Sequence, residues 1–326
     1  MENNFNETTR YEAGKTQMIQ FGTSQFIFWR LTVVKSIKKI LLNMSNFYSD
    51  LEIEIIPEKE LEQYDIVNNQ IKNGWLFEIV AQAVQNIEEL FALLKNSKDL
   101  SNFVKNFVNY KASDTKKYIW NFQSDDIDYI LKEFGIPSYL LSLEEDKESF
   151  QKYSRSIRII QDYVKAIQAF HKKYYRDYCQ YKHGMAVALT PYGKFFKKND
   201  SEFKKYVRAN LLQGSLNTFD NEVLRGRSNS SNLPAIMIAL TDKTQPHISN
   251  LHSEKNLLHR AVSHVNVDDV VKIVEQTTSL LSIVWQNLFN KSEGKSEFAL
   301  PTENLFTWLI VKFPPLCEDN LTENIQ

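Results

Sequence analysis

An arginine and a histidine, Arg176 and His183, stand seven residues apart in the segment RDYCQYKH. Seven residues make close to two helical turns, so on a helix both side chains leave the same face. The guanidinium group of an arginine binds anions through a planar fork of N–H donors. An imidazole, whose ordinary pKa is about 6.5, takes up or releases a proton near neutral pH. The pair therefore combines an anion-binding group with an acid–base group.

Three polar residues surround this pair. Gln180 lies between the two on the same helical face, Asp177 follows the arginine, and Lys182 precedes the histidine. A purely structural explanation is open at this point, because basic side chains near the C-terminus of a helix stabilise the helix dipole, and Gly184 suits a left-handed C-cap. On that explanation His183 and its neighbours only terminate the helix.

The spacing resembles the motif of the HEPN family, in which an arginine and an adjacent polar residue are followed after a short gap by a histidine. In this chain the motif comprises Arg176, Asp177 and His183, with six residues between the arginine and the histidine. HEPN domains are helical bundles, and their motif is found near the end of a long helix. The resemblance covers at most residues 75–290.

The resemblance implies metal-independent cleavage of RNA by a homodimer in which the two motifs face each other. The 2′-hydroxyl of the RNA attacks the adjacent phosphorus, so no metal-bound water is needed. Arg176 then acts as the phosphate clamp, His183 as the general acid or base, and Asp177 holds the arginine or the geometry of the site. A bacterial toxin or an anti-phage defence system, with a partner protein, is the setting that it implies.

Further polar residues are candidates for contacting RNA beside the motif. Gln180 and Lys182 lie within it, and five basic residues follow it in the sequence: Lys194, Lys197, Lys198, Arg225 and Arg227. A solvated helix face and a solvated loop explain the same five residues without RNA. His252, His259 and His264 have no acidic or cysteine partner at ligand spacing, so neither a metal site nor a cofactor is predicted.

The elements that position these residues follow from the apolar pattern. The longest helix is predicted over 147–182 and carries a stripe at alternating spacings of three and four: Ile157, Ile160, Val164, Ile167, His171, Tyr174, Tyr178 and Tyr181. Such a stripe indicates a packed core or an oligomer contact, and its tyrosines favour core packing over base stacking. Other helices are predicted at 75–94, 99–110, 124–134, about 266–289 and 302–312, and short strands at 185–189 and 235–240.

The predicted fold class is mainly α, a helical bundle with one long central helix and a small β-sheet inserted within 185–241. Residues 1–16 show no periodicity and are predicted to form a flexible tail. An N-terminal helical region (17–145) and a C-terminal HEPN-like helical region (146–326) follow. These two regions form either separate domains or one continuous domain.

The amino-acid composition excludes or disfavours several classes of function. The chain has 326 residues, a formal net charge of −1, nine glycines and two cysteines. The near-zero charge excludes a generally basic nucleic-acid binder, and the scarcity of glycine disfavours glycine-rich nucleotide-binding loops. Because there is no disulfide framework and no apolar run of membrane-spanning length, a cytoplasmic protein without a membrane partner is predicted. The alternative function is a non-catalytic scaffold that oligomerises through the long helix.

Overall fold

The computed structural model of the protein describes residues 2–43, 61–137, 147–182, 186–187, 235–240 and 259–312. The α-helices are α1 (Glu2–Ser24), α2 (Trp29–Leu42), α3 (Leu61–Asn96), α4 (Phe103–Val108), α5 (Ala112–Asn121), α6 (Ile127–Phe134), α7 (Lys147–Lys182) and α8 (Val267–Ser292). The strands are β1 (Ala186–Val187), β2 (Ala235–Leu240), β3 (His259–His264), β4 (Glu297–Pro301) and β5 (Trp308–Lys312). The mainly helical prediction is confirmed. None of the helices in the described ranges has the length and apolar character needed to cross a membrane.

The chain divides into two compact units. The first unit comprises Met1–Thr32, Gln85–Lys172 and Lys272–Gln326, and the second comprises Val33–Val84 and Lys173–Val271. Each unit takes residues from both regions predicted from the sequence, 17–145 and 146–326. The division falls inside four helices, α2, α3, α7 and α8, so each of these helices supplies residues to both units.

Residues 2–16 do not form the predicted flexible tail, because they belong to helix α1. Over residues 9–24 of α1, for which burial is described, the buried positions lie on one face, four residues apart: Gly14, Met18 and Gly22. A β-carbon at Gly14 would lie 2.8 Å from Cα of Ser101, and one at Gly22 would lie 2.7 Å from the ring of Phe289. Two of these three positions therefore tolerate only glycine. Because glycine does not count as an apolar side chain, the helix shows no apolar periodicity in the sequence.

The core of the first unit is built around Trp285 of α8, which is 1% exposed. The rings of Phe103 and Phe107 meet it edge to face, with centroids 5.6 and 6.3 Å away. Phe289 stacks on it at 5.8 Å, and Phe21 of α1 approaches at 6.3 Å. Aromatic pairs at these separations contribute more than the area they bury. This cluster joins α1, α4 and α8.

Helix α7 has the bounds predicted from the sequence, and the predicted stripe is its buried face. The seven stripe residues from Ile157 to Tyr178 are at most 6% exposed, and Tyr181 at the end is half-buried. The stripe is therefore core within a single chain. Of the two explanations that the pattern left open, core packing is the observed one.

A buried amide on α7 caps α5, a helix that the sequence did not predict. Nε2 of Gln168 donates to the carbonyl oxygens of Ile119 and Phe122, at 2.7 and 3.0 Å. The hydroxyl of Ser124 donates to Oε1 of Gln168 at 3.3 Å. The last carbonyl oxygens of a helix have no donor inside it. The side chain of Gln168 therefore donates to buried carbonyl oxygens that water cannot reach.

His171 of α7 is fully buried, and its Nδ1 accepts a hydrogen bond from Nε1 of Trp120 at 3.0 Å. Because Nδ1 accepts, the imidazole is neutral in this arrangement. Burial, and then the charge of Lys116, lower the pKa of His171 from 6.5 to about 4.

We expect the free energy of unfolding to fall as the pH drops from 6.5 to about 4, because in this interval His171 is protonated in the unfolded chain and neutral in the native one. The full loss is about 3 kcal/mol. Above this interval both states are neutral, so His171 adds no pH dependence. Urea unfolding across the interval measures the effect, and the variant His171→Gln should show a weaker pH dependence. Equal pH dependence in the two proteins would contradict this assignment.

A β-hairpin takes the place of the helix predicted at 302–312. Strands β4 and β5 pair antiparallel with Ala299 opposite Ile310, and the turn between them contains Phe306 at a φ of 63°. The β5 sequence WLIVK is rich in aromatic and β-branched residues, which favour strands. Such a short apolar segment gives no periodicity that separates strand from helix, which is why the prediction was wrong.

The outer edge of β4 is covered by side chains of α8. Nδ2 of Asn287 donates to the carbonyl oxygen of Ala299 at 3.0 Å, and its Oδ1 accepts from the Ala299 N–H at 2.7 Å. Asn290 donates to the carbonyl oxygen of Glu297 at 3.1 Å. Ala299 thus directs both backbone groups away from β5. Ile310, its partner in the ladder, therefore directs its own backbone groups away from β4.

The second unit contains the small inserted sheet. Its strands lie in the order β1-β2-β3 and pair antiparallel, with Ala186 opposite Ile238 and Met237 opposite Val262. Strands β1 and β2 confirm the two predicted apolar runs. Strand β3 was not predicted, and it extends the sheet beyond the expected limits of 185–241.

Candidate functional site

The structure describes two of the three motif residues, and both lie near the C-terminal end of α7. Asp177 is buried, with its side chain 1% exposed, whereas the adjacent Arg176 keeps 41% of its side chain exposed. The helix continues to Lys182. His183, the next residue in the chain, lies outside the described residues.

Arg176 and Asp177 form an ion pair in which Nε lies 3.8 Å from Oδ1. The Nε atom is buried and makes no hydrogen bond to any of the described residues. The exposure of Arg176 therefore belongs to the rest of its side chain, and its terminal N–H groups are the donors left for a ligand. A buried carboxylate needs a compensating charge, and the guanidinium group of Arg176 supplies one.

Tyr181 fixes the last turn of α7 within the second unit. Its hydroxyl donates to Oε2 of Glu78 on α3 at 2.9 Å, and its ring stacks on Phe77 with centroids 5.3 Å apart. Gln82 donates to the other oxygen of Glu78 at 2.7 Å. Burial, and then the hydrogen bond to Glu78, raise the pKa of Tyr181 to about 12. The phenol therefore stays protonated near neutral pH and holds the helix end that carries Arg176.

The tyrosines beside the motif are part of the core. Tyr174 is 3% exposed and Tyr178 is 6% exposed, so neither ring offers a free face on which a base can stack. Nζ of Lys173 lies 4.6 Å from the centroid of the Tyr174 ring, in a cation–π contact. The prediction of core packing for these two tyrosines is confirmed.

Of the other residues predicted to contact RNA, the structure describes the side chain of Lys182 alone. Lys182 is exposed at the end of α7, and the side chain of Gln180 is not among those described. Lys194, Lys197, Lys198, Arg225, Arg227 and His252 lie outside the described residues. Within the described ranges, no group of His, Cys, Asp and Glu side chains is arranged to hold a metal ion.

A polar cleft in the first unit was missed by sequence reasoning. It encloses about 380 Å³ where α3 ends and α5 begins. We call it the lysine cleft, after the lining residues Lys95, Lys105, Asn106, Asn109, Tyr110 and Lys111. Its lysines come from different elements and share no helical face, so the periodicity of no single helix groups them into one site. A Lys–Asn pair that occurs at 95–96 and again at 105–106 is a sequence signal that could have done so.

No protein-family model matches this chain, and comparison with curated proteins and with solved structures gives no match either. The HEPN relationship therefore stays a prediction that rests on the segment from Arg176 to His183.

Proposed function

We propose that this protein is a metal-independent endoribonuclease of HEPN type that acts through Arg176, Asp177 and His183. The observation that carries the proposal is a half-exposed arginine whose buried Nε lies 3.8 Å from a buried carboxylate near the end of a long helix. The buried carboxylate lies beside the inner nitrogen of this guanidinium group, and the terminal N–H groups remain as donors for a phosphate.

The reaction needs only the RNA and two kinds of side chain. The 2′-oxygen forms a bond to the adjacent phosphorus, and the bond from phosphorus to the 5′-oxygen of the next nucleotide breaks. His183 takes the proton of the 2′-hydroxyl or donates one to the leaving 5′-oxygen. Arg176 stabilises the negative charge that grows on the phosphoryl oxygens. The products are a 2′,3′-cyclic phosphate and a 5′-hydroxyl group.

The site is proposed to be completed by a second copy of the chain, whose motif faces the first across a two-fold axis. Gln180 and Lys182 belong to the same helical segment as the motif and contact the RNA backbone in this proposal. Five basic residues guide RNA towards it: Lys194, Lys197, Lys198, Arg225 and Arg227. The proposed setting is a cytoplasmic toxin or anti-phage defence system that includes a partner protein.

The alternative function, a scaffold that oligomerises through the long helix, needs an exposed apolar surface on α7. The stripe from Ile157 to Tyr178 is at most 6% exposed within one chain. This stripe therefore supplies no such surface, whereas Phe150 near the start of α7 is 37% exposed, and oligomerisation through the helix stays a prediction.

The proposed activity is tested with a defined single-stranded RNA in excess EDTA and with a DNA strand of the same sequence as the matched control. We expect the RNA to be cut and the DNA to stay intact, because DNA lacks the 2′-hydroxyl that acts as nucleophile. Sequencing of the RNA ends, or their resistance to ligation, identifies the cyclic phosphate. Cleavage that stops on chelation, equal cutting of the DNA, or no cutting of RNA would contradict the proposal.

A further inference from the structure

We propose that the lysine cleft binds the phosphate groups of a nucleotide ligand. Lys95 lies in the last turn of α3, Lys105 lies in α4, and Lys111 is the N-cap residue of α5. All three line one cavity of about 380 Å³ within the first unit. Sites for small molecules commonly enclose roughly 300–1,000 Å³, so the cavity has room for a nucleotide.

Unbalanced positive charge is the first reason for this assignment. Lys95, Lys105 and Lys111 have no ion pair with any of the described residues, and Asp114 is the carboxylate in the lining. By contrast, nearby Lys98 donates to both carboxylate oxygens of Glu133 at 2.7 Å. The net charge of the whole chain is −1, so a local excess of cations does not follow from a basic composition.

The start of α5 adds backbone donors to this charge. The carbonyl oxygen of Lys111 accepts from the N–H groups of Asp114 and Thr115, both at 3.0 Å, and Lys111 makes no side-chain cap. The N–H groups of Ala112 and Ser113 precede the first bonded N–H of the helix and have no acceptor inside it. Lys111 and two residues of the first turn, Asp114 and Thr115, line the cleft, so the positive end of the helix dipole lies beside the three lysines.

Neutral side chains provide the remaining recognition. Asn106 is exposed and makes no hydrogen bond to the described residues, so both ends of its amide are available. The amide nitrogen of Asn109 donates to the carbonyl oxygen of Lys105 at 2.8 Å, which fixes that side chain beside the lysine. Tyr110 is 40% exposed and offers a ring on which a base can stack. Burial, and then the charge of Glu88, raise the pKa of Tyr110, so its hydroxyl remains a donor near neutral pH.

Nucleotide phosphates occur both in free nucleotides and along an RNA strand, and the experiment separates these sources. The probes are ATP, inorganic tripolyphosphate and a fluorescent single-stranded RNA whose 2′-oxygens are methylated. The methylated strand cannot be cut by attack of the 2′-hydroxyl, so binding is measured without cleavage. Failure of the proposed ribonuclease activity therefore leaves the result of this test unaffected.

The test variant is Lys95→Gln/Lys105→Gln/Lys111→Gln, compared with Lys117→Gln/Lys132→Gln/Lys291→Gln. The control removes the same charge from exposed lysines of the first unit that do not line the cleft. We expect the cleft variant to bind at least one probe about 10-fold more weakly or worse, and the control to bind as the wild type does. If the probe is RNA, the slope of log K against the logarithm of the salt concentration should become shallower by about 2. Each lost phosphate contact contributes roughly 0.7 to this slope, and three lysines are replaced.

If ATP or tripolyphosphate displaces the labelled RNA, the cleft binds free phosphate compounds as well as the RNA strand. Binding of RNA alone assigns it to the strand. Equal losses in the cleft and control variants, or no binding of any probe by the wild type, would overturn the proposal. The single variant Lys105→Gln repeats the comparison if the triple variant shows an altered circular dichroism spectrum.

Discussion

Replacing Arg176 or His183 with alanine is expected to slow RNA cleavage by about 10²–10⁴-fold. The loss follows from the proposed roles, because one variant lacks the group that binds the phosphate and the other lacks the group that moves the proton. Arg176→Ala also removes the cation 3.8 Å from the buried Asp177 carboxylate. For this reason Arg176→Lys is the sharper variant, since it keeps the charge but lacks the planar fork.

The matched control for the arginine is Arg158→Ala, which removes an exposed arginine from the same helix. It should retain the wild-type rate. Circular dichroism and the urea midpoint of each variant show whether a loss of rate is a loss of fold. Full cleavage by the double variant Arg176→Ala/His183→Ala would show that other residues carry the activity. Loss of rate in Arg158→Ala equal to that in Arg176→Ala would indicate a general effect of charge.

Trp285→Ala should lower the free energy of unfolding by about 3–5 kcal/mol, the cost of a large cavity in a packed core. The indole is 1% exposed and contacts four phenylalanine rings from α1, α4 and α8, which have little freedom to collapse into the space. Trp29→Ala is the matched control, because that indole is 55% exposed. Urea unfolding measures both variants. A loss for Trp285→Ala no larger than that for Trp29→Ala would contradict the central position of this residue.

The elements predicted correctly are those whose buried side is marked by apolar side chains. Helix α7 has its predicted bounds because its stripe recurs without interruption over eight residues from Ile157 to Tyr181. Helix α1 was missed because glycines occupy its close contacts, and a pattern of side chains cannot report positions that must have none. The hairpin was taken for a helix because the apolar segment Trp308–Val311 is too short to show a period.

The same distinction separates the two candidate sites. Arg176 and Asp177 are neighbours in sequence, so the helix alone determines that they lie together. Lys95, Lys105 and Lys111 meet only after three separate elements have packed, and their spacings of ten and six residues correspond to no single helical face. A site made by tertiary packing leaves only compositional traces in the sequence.

The amide of Asn287 has a consequence for association between chains. This amide donates to and accepts from the backbone of Ala299, and these are the backbone groups with which another strand would pair. The outer edge of β4 therefore cannot pair with an extended chain from another molecule. Growth on this hairpin is therefore confined to β5, where Trp308 and Ile310 are 39% and 43% exposed. Lys312 at the end of that strand has a side chain that is 79% exposed, and its Nζ lies 3.3 Å from Oε1 of Glu297. Charged side chains on an edge strand oppose its pairing with another chain. Asn287 and Asn290 thus occupy one of the two edges at which this hairpin could pair with another chain.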